Sequence, residues 1–412
     1  MQPRSFNPMA AQPSAGPAPM PRATGRARVQ PAGTTTAKQA PAKRDAAQAL
    51  LDPADVLAKM IHAWHTLDPN GSPTHFPTIA QYWSWMLGEV SLVTGWPGSG
   101  KSWIMLFLML VKSRYDGWKW ALLCPENMPA RKLVNILVQM YVGQTCNPKY
   151  HRMSFEQYEE AAKWVLKHFF IINPREAENL ADVAGVIAHC KEVHGINGYL
   201  IDPWNSLGDS LTDYGGREDE MLKQLLGYLC DFTEDNELCG IVCAHPSGDA
   251  RPKPGAELIV PDQYKVSGGR MWGNKVDNVI VINRPYYETD PTDTAVDFYV
   301  KKVKEQPETG FPTPPGGVRL HYSRGSYRYT DPVLGTMSNP VSPLDEKPRQ
   351  LYEAYGCNDL ARIVSEKIPR KDGRDIAPDG FAPLTASSDF DAIPADMLPG
   401  GAMTVRLPHA NE

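Results

Sequence analysis

Short apolar runs alternate with stretches of helical periodicity through the middle of the chain. Runs rich in β-branched residues predict buried strands, and apolar positions three or four apart predict helices. The predicted strands are 90–94, 118–124, 169–172, 198–201, 239–244, 279–282 and 296–303, and the predicted helices are 103–111, 130–143, 155–168, 180–193 and 218–234. This alternation predicts an α/β fold with a mainly parallel sheet that helices flank on both faces. The last strand alternates apolar and polar positions, which predicts a sheet edge.

The two ends of the chain differ from this middle in composition. Residues 1–44 are rich in Pro, Ala, Gly and Thr and contain no acidic residue. They predict a disordered basic arm, which either touches nucleic acid or is a solvated tail. Residues 332–412 return to Pro, Asp and Ser, which predicts a largely disordered tail with one helix near 350–367. The globular domain is therefore expected at 75–331.

A helical unit stands between the basic arm and this domain. Apolar residues at mostly helical spacing over 45–66 predict a helical linker or oligomerisation segment at 45–74. Its Ile61 and Trp64 would suit docking on an adjacent subunit, and packing within the chain is an equal alternative.

Composition narrows the setting. A chain of 412 residues could hold roughly two or three domains, but its 38 prolines and 33 glycines concentrate at the ends, which favours one domain with tails. No apolar stretch approaches the roughly 20 residues that span a bilayer. The seven cysteines are scattered and form no C-x-x-C pair, so we expect an intracellular, cytoplasmic protein without a membrane partner. The net charge of -5 means that any nucleic-acid contact must come from local basic loops.

The sequence GWPGSGKS, directly after the first predicted strand, fits the phosphate-binding pattern G-x-x-x-x-G-K-S. A glycine-rich turn between a strand and a helix aims backbone N–H groups at an anion, and the helix start adds its positive dipole end. We therefore expect ATP here, with Lys101 reaching the β and γ phosphates and Ser102 ligating Mg²⁺. The residues predicted to contact the nucleotide are Gly95, Trp96, Pro97, Gly98, Ser99, Gly100, Lys101, Ser102 and Trp103.

Polar residues follow three further predicted strands. Asp202 comes after an apolar strand, an arrangement that holds Mg²⁺ beside a nucleotide. Glu126 is the predicted general base for the attacking water, and the alternative is an acid that a helix N-terminus favours. His245 could contact the γ phosphate as a neutral imidazole and report its loss. Ligands of such sheets bind at the carboxyl ends of the strands, so these residues are expected to share one site.

Two loops, 206–216 and 247–273, carry the predicted nucleic-acid contacts. The second contains four basic residues, Arg251, Lys253, Lys265 and Arg270, together with Tyr264 and Trp272. Basic side chains can follow the backbone of a single strand while aromatic rings stack on its bases. Ordinary solvated surface is the alternative for both loops.

Five motifs occur in the order VTGWPGSGKS, LLCPEN, YLIDPWNSL, GIVCAHP and VSGGRMWGNKVDNVIVINRP. Together they resemble the RecA-fold motor domain of DnaB-type hexameric helicases, most closely the Twinkle-like and phage branch, over about residues 75–330. The resemblance implies that Glu126 is the catalytic glutamate, Asp202 the Walker B aspartate and His245 the polar residue that ends the following strand. It also implies that residues 268–277 line a central DNA channel and the nucleotide interface.

One position departs from the pattern of this family. Its members usually carry K-x-R on a late strand, whose cations reach the ATP of the neighbouring subunit, and here Lys302-Val303-Lys304 stands in that place. A lysine lacks the planar fork of guanidinium, so stabilisation of the γ phosphate would be weaker. Arg284 or Arg324 could serve instead, and a solvated lysine pair is the remaining alternative.

The predicted function is that of an ATP-dependent DNA helicase, which translocates on single-stranded DNA as a ring during replication. Sites that a neighbour completes require a ring or a filament, and the resemblance implies a homohexamer. Primase, polymerase or a single-strand-binding protein would be met through the tails, and phage or plasmid replication is the expected setting. The alternatives are a RecA- or KaiC-like ATPase that acts as a switch or remodelling factor without unwinding, and a small-molecule P-loop kinase.

Overall fold

The computed structural model describes residues 50–66, 71–248, 259–336, 339–355, 390–392 and 406–408. The chain divides into two units, Met1–Ile61 and His62–Glu412. The described residues of the first unit open helix α1 (Pro53–Thr66). Asp52 caps this helix, because its carboxylate accepts a hydrogen bond from the Ala54 N–H at 2.9 Å. The predicted helix is confirmed over 53–66, and the basic arm lies outside the described residues.

The second unit is built on one large sheet. Its strands are β1 (Val90–Thr94), β2 (Trp120–Leu123), β3 (Phe169–Ile171), β4 (Gly198–Ile201), β5 (Cys239–Cys243), β6 (Asn278–Asn283), β7 (Ala295–Lys302), β8 (Val318–Ser323) and β9 (Arg328–Thr330). The order across the sheet is β3-β2-β4-β5-β1-β6-β7-β8-β9. The part from β3 to β6 is parallel, and β7 to β9 continue it antiparallel. The prediction of a mainly parallel sheet is confirmed.

Helices cover both faces of this sheet. They are α2 (Pro77–Ala80), α3 (Lys101–Asp116), α4 (Ala130–Val142), α5 (Phe155–His168), α6 (Leu180–His194), α7 (Glu218–Asp235), α8 (Arg270–Lys275) and α9 (Glu346–Tyr355). Helices α3 to α5 contribute to one apolar cluster, which includes Phe107 and Leu122. Helices α6 to α8 contribute to the other, which includes Ile187 and Leu123. Successive strand residues thus serve opposite layers, as the pleat of a strand requires.

Helix α3 runs through the first of these layers. Most of its side chains are buried, which explains why its sequence is apolar nearly all round. It begins after Gly100, at φ 90°, and ends at Gly117, at φ 69°, whose N–H donates to the Ser113 carbonyl. Both glycines occupy a backbone region that other residues rarely adopt, so the helix is fixed at both ends.

The prediction that residues 296–303 form a sheet edge is wrong. Strand β7 pairs with β6 on one side and with β8 on the other. Its polar residue Asp297 is 4% exposed and forms an ion pair with Arg319 of β8. The alternation of this segment therefore reflects a buried ion pair rather than an exposed face.

The globular fold continues past residue 332, where the sequence places the start of a tail. Asp331 and Leu334 are buried, and the Tyr115 hydroxyl donates to the Pro343 carbonyl at 2.6 Å. Helix α9 overlaps the helix predicted near 350–367, whose remainder lies outside the described residues. A short antiparallel pair, β10 (Phe390–Ala392) with β11 (Arg406–Pro408), is the other described part of this end. None of the helices that the structure describes is long and apolar enough to cross a membrane.

Candidate active site

The parallel strands end at a cavity of about 690 Å³. Because β1, β2, β4 and β5 are neighbours in the sheet and run the same way, their carboxyl ends meet at one edge. The cavity is lined by Pro97, Gly98, Gly100, Lys101, Ser102, Trp103, Glu126, Asp202, His245, Arg284, Asp293, Thr294, Val296, Tyr322, Arg324 and Tyr329. It brings together five side chains that the sequence analysis assigned to one site, those of Lys101, Ser102, Glu126, Asp202 and His245.

The phosphate loop approaches the sheet closely at its first residue. A Cβ on Gly95 would come within 2.2 Å of the Ile282 carbonyl oxygen, and its φ is 150°. Only glycine fits there. Gly95, Trp96 and Ser99 do not line the cavity, whereas the other six residues of the predicted nucleotide contact do.

Lys101 is buried and folds back on its own loop. Its ammonium donates to the Gly95 carbonyl at 2.8 Å and to the Trp96 carbonyl at 3.4 Å. Burial lowers the pKa of Lys101, and the nearby Cys243, Asp202 and Glu126 oppose that shift. The ammonium is therefore held by backbone oxygens, in a place from which it faces the cavity.

Asp202 and Ser102 form the part of the site that suits a magnesium ion. Asp202 is 4% exposed, and burial raises the pKa of its carboxyl while hydrogen bonds from Ser102 and Cys243 lower it. Its Oδ2 atom is buried and has no hydrogen-bond partner among the described residues. A buried carboxylate oxygen beside a serine hydroxyl is the donor set that Mg²⁺ prefers at a phosphate loop, so these residues fit that ion.

Glu126 and His245 face each other across the cavity. The Glu126 Oε1 atom lies 3.9 Å from His245 Nε2, and the Glu126 side chain is 63% exposed. Burial lowers the pKa of His245, the charge of Lys101 lowers it further, and Glu126 and Asp202 raise it. A neutral imidazole and an exposed carboxyl group therefore lie side by side in the cavity, an arrangement that suits proton transfer from a water molecule.

The antiparallel strands supply a wall that sequence reasoning missed. Tyr322 and Tyr329, on β8 and β9, line the cavity together with Arg324 in the turn between them. The segment 318–330 shows a signal for these strands, since two alternating runs flank the turn Arg324-Gly325-Ser326.

Arg284 and Arg324 lie in the cavity of their own chain. The Arg284 guanidinium lies 4.3 Å from the Tyr287 ring centroid and donates to the Asp293 carbonyl at 2.9 Å. Arg324 donates to the Pro291 carbonyl at 2.7 Å. Their role as alternative cations for a neighbouring subunit stays a prediction.

Lys302 and Lys304 lie near the amino ends of the parallel strands, whereas the phosphate loop lies at the carboxyl end of β1. Lys302 pairs with Val279 near the start of β6, and the Lys304 ammonium lies 2.9 Å from Asp277 Oδ1. Asp277 Oδ2 in turn accepts from the N–H of Val90, the first residue of β1, at 2.9 Å. The length of β1, about 16 Å at about 3.3 Å per residue, therefore separates Lys304 from its own phosphate loop. These lysines stay a predicted contribution to another copy.

The predicted DNA-binding residues are only partly described. Arg251 and Lys253 lie outside the described residues. Arg270 is exposed at the start of α8, and Lys265 is partly exposed. Close to Lys265, the Tyr264 ring is 61% exposed. Two of the four predicted basic contacts are thus at the surface.

Comparison with known proteins gives relatives at the level of sequence and of fold. No known family profile matches the chain. Over 282 residues the chain is 30% identical to "Twinkle homolog protein, chloroplastic/mitochondrial" of Arabidopsis thaliana. The matched region covers 66% of this chain and 38% of that protein. The chain thus spans well under half the length of this relative.

Two solved structures share the fold. The chain aligns with a solved structure described as an ATPase domain at a TM-score of 0.53 and 13% identity, covering 68% of this chain and 98% of that domain. It aligns with a DnaB-like replicative helicase, whose interactions with primase that study describes, at a TM-score of 0.51 and 13% identity, covering 69% of each chain. At such identity the likeness establishes the fold, which is the RecA-type ATPase fold of DnaB-like helicases.

Proposed function

We propose that this chain is an ATP-dependent DNA helicase. It is related in sequence to a Twinkle homologue and has the RecA-type fold of DnaB-like helicases. In this proposal it encircles single-stranded DNA as a ring and separates the duplex ahead of it. The observation that carries the proposal is the cavity itself, where a phosphate-loop lysine, a buried aspartate and a glutamate converge at the strand ends.

The residues of the cavity divide the work of phosphoryl transfer. Lys101 would turn its ammonium from the loop carbonyls to the β and γ phosphates, and Ser102 and Asp202 would hold Mg²⁺. When bound, the ion supplies neutralisation of the developing phosphate charge. Glu126 orients the attacking water and accepts its proton. His245, neutral and 3.9 Å from Glu126, senses whether the γ phosphate is present.

In this proposal, residues near the amino ends of the parallel strands supply the neighbour's contribution. Lys302 donates to the Gly273 and Val276 carbonyls at 2.9 and 2.6 Å, and Lys304 is paired with Asp277. Both ammonium groups are thus held by acceptors of their own chain, and in the assembly they would exchange these acceptors for the phosphates of the next subunit. In this arrangement each site is completed in trans, which requires a closed ring or a filament, and a homohexamer is our proposal.

Other parts of the chain would serve the assembly and the DNA. Helix α1 carries Ile61 and Trp64, which are 50% and 80% exposed, so it would dock on the adjacent subunit. The loop that contains Lys265 and Arg270 would follow the DNA backbone, and stacking by Tyr264 would add about 1–3 kcal/mol per base. The solved structure of a DnaB-like helicase is described with its interactions with primase, and a primase is accordingly a proposed partner of this chain.

A strand-displacement assay on forked DNA with ATP and Mg²⁺ tests this function. Wild type should displace the strand, and Lys101→Ala should abolish both hydrolysis and displacement, because the phosphates lose their only buried ammonium in the described part of the cavity. Lys163→Ala, which removes an exposed lysine of α5, is the matched control and should behave as wild type.

The same assay separates the motor from its rival. Hydrolysis that depends on Lys101 but displaces no strand from any fork would instead support a nucleotide-driven switch. A protomer that hydrolyses ATP at full rate at every dilution would contradict the shared site.

A further inference from the structure

The second residue of the phosphate loop, Trp96, turns away from the cavity. Its indole Nε1–H donates to the backbone carbonyl of Ile259 at 2.9 Å, and the side chain is only 7% exposed. The phosphate-binding pattern leaves this position open. A buried indole N–H needs an acceptor, and here the acceptor belongs to a segment 163 residues further along the chain.

Ile259 is the first residue of a segment whose other end is hydrogen-bonded next to His245, which also lines the cavity. We call residues 259–267 the bridging segment. The Ser247 N–H donates to the Lys265 carbonyl at 2.7 Å, and the Ser267 N–H reaches the His245 carbonyl at 3.4 Å. The bridging segment is therefore tied to the phosphate loop at its first residue and to the His245 strand end at its last.

The middle of the bridging segment forms a turn that presents two side chains. Asp262 accepts from the Tyr264 N–H through its carboxylate at 3.0 Å, and from the Lys265 N–H through its carbonyl at 3.1 Å. Such a turn fixes the backbone from which Tyr264 and Lys265 project. A shift at either end would therefore move both side chains together.

Trp96 also contacts the residue that must respond to a nucleotide. Its carbonyl accepts from Lys101 at 3.4 Å, while its indole holds Ile259. When the Lys101 ammonium leaves for the phosphates, the Trp96 peptide loses that contact, and the indole transmits the adjustment to the bridging segment.

We propose that Trp96 is a positioning residue that couples nucleotide binding to the bridging segment, and through it to the Tyr264 and Lys265 side chains. The link to DNA rests on the proposed function, whereas the link between the two loops rests on the Trp96–Ile259 hydrogen bond alone. A coupling between sites requires that each ligand bias the same element, and the bridging segment is that element.

Hydrogen exchange tests the link without DNA. The variant Trp96→Phe keeps an aromatic ring but loses the N–H donor. Trp164→Phe is the matched control, because it makes the same change at a residue of α5 that does not line the cavity and whose ring stacks on Tyr141 with centroids 4.5 Å apart. Exchange over the bridging segment is compared with and without a non-hydrolysable ATP analogue, and the analogue's affinity is measured for each protein.

In wild type and in Trp164→Phe, the analogue should change the exchange rates of the bridging segment. In Trp96→Phe that change should fall by about fivefold or more, the lower range of typical couplings between sites, at concentrations that saturate the variant. An unchanged response in Trp96→Phe would overturn the proposal, as would a wild type that binds the analogue without any response. Exchange over β4 reports folding, and Trp96→Leu replaces the first variant should it not fold.

Hydrolysis with and without single-stranded DNA gives the second readout. The ratio of stimulated to unstimulated rate should fall in Trp96→Phe and stay at the wild-type value in Trp164→Phe. Equal losses of both rates would mean that Trp96 merely shapes the phosphate loop. Failure of DNA to stimulate wild type would count against the proposed motor, while the exchange experiment would still decide the link between the loops.

Discussion

At the scale of single residues, burial sets the charges around the cavity. Burial lowers the pKa of Lys101 and of His245, and it raises the pKa of Asp202. All three shifts disfavour the charged form. A bound nucleotide with its Mg²⁺ would supply the opposite charges and so favour the charged forms of Lys101 and Asp202. The two side chains would therefore stabilise a bound nucleotide and its metal ion.

The pH dependence of hydrolysis should reveal the neutral form of His245. Because its pKa lies below 6.5, the imidazole stays neutral at pH 7 and gains a proton only on further acidification, which places a second cation near Lys101. We expect a loss of kcat as the pH falls through this range. His245→Gln cannot take up the proton, so its profile should be flatter on the acid side. An identical acid limb in both proteins, measured by steady-state hydrolysis, would exclude this role.

The sequence predicts those site residues that belong to local patterns. Lys101 and Ser102 lie in a contiguous loop, and Asp202 and His245 directly follow apolar strands. A pattern in the local sequence therefore identifies each of them. Tyr322 and Tyr329 reach the cavity only because β8 and β9 add to the sheet in a particular register. No local pattern carries that register, which explains why this wall was missed.

At the scale of elements, Arg328 joins three segments. It is 9% exposed and donates from β9 to the Met140 carbonyl at 2.8 Å, to the Tyr141 carbonyl and to the Asp345 carboxylate at 2.7 Å. The two carbonyls belong to the last turn of α4, where a cation also interacts favourably with the helix dipole. The chain after β9 is thereby fastened to the first layer of helices.

Replacing Arg328 by lysine should measure this junction. An ammonium cannot serve three acceptors in the planar geometry of guanidinium, so buried carbonyls lose their partners, and we expect a loss of about 2 kcal/mol in unfolding free energy. Urea unfolding gives the value. Arg175→Lys, at an exposed position, should leave stability within about 0.5 kcal/mol of wild type. Similar stability of both variants would mean that Arg328 adds little.

Element prediction succeeded where periodicity and burial agree. Helices α5 and α7 and strand β4 occur as predicted or within one residue. The prediction that β7 is an edge strand was wrong, because Asp297, a charged residue in an apolar run, is buried with Arg319. A sequence gives the type of an element more readily than the partner of its polar residues.

At the scale of the whole molecule, the phosphate loop and Lys304 lie at opposite ends of the parallel strands. If a neighbour supplies Lys304, two inactive variants should complement each other. Lys101→Ala retains Lys304, and Lys304→Ala retains the cradle, so in an equal mixture about one quarter of head-to-tail interfaces would combine both intact parts. Hydrolysis by each variant alone and by the mixture is the measurement.

Recovery in the mixture should require assembly conditions and should vanish on dilution. No recovery at any mixing ratio, although sedimentation shows mixed assemblies, would contradict a cation supplied in trans. A thermal unfolding curve of Lys304→Ala is the necessary control, since this change also removes the partner of Asp277.

Because Lys304 is separated from its own phosphate loop, the number of complete catalytic sites depends on how the copies assemble. If a neighbour supplies Lys304, every copy offers a cation at one end and needs one at the other. An open chain of n copies would then contain n − 1 complete catalytic sites, and a closed ring would contain n. The stoichiometry of tightly held nucleotide per protomer would therefore distinguish a closed circle from an open spiral, without any image of the assembly.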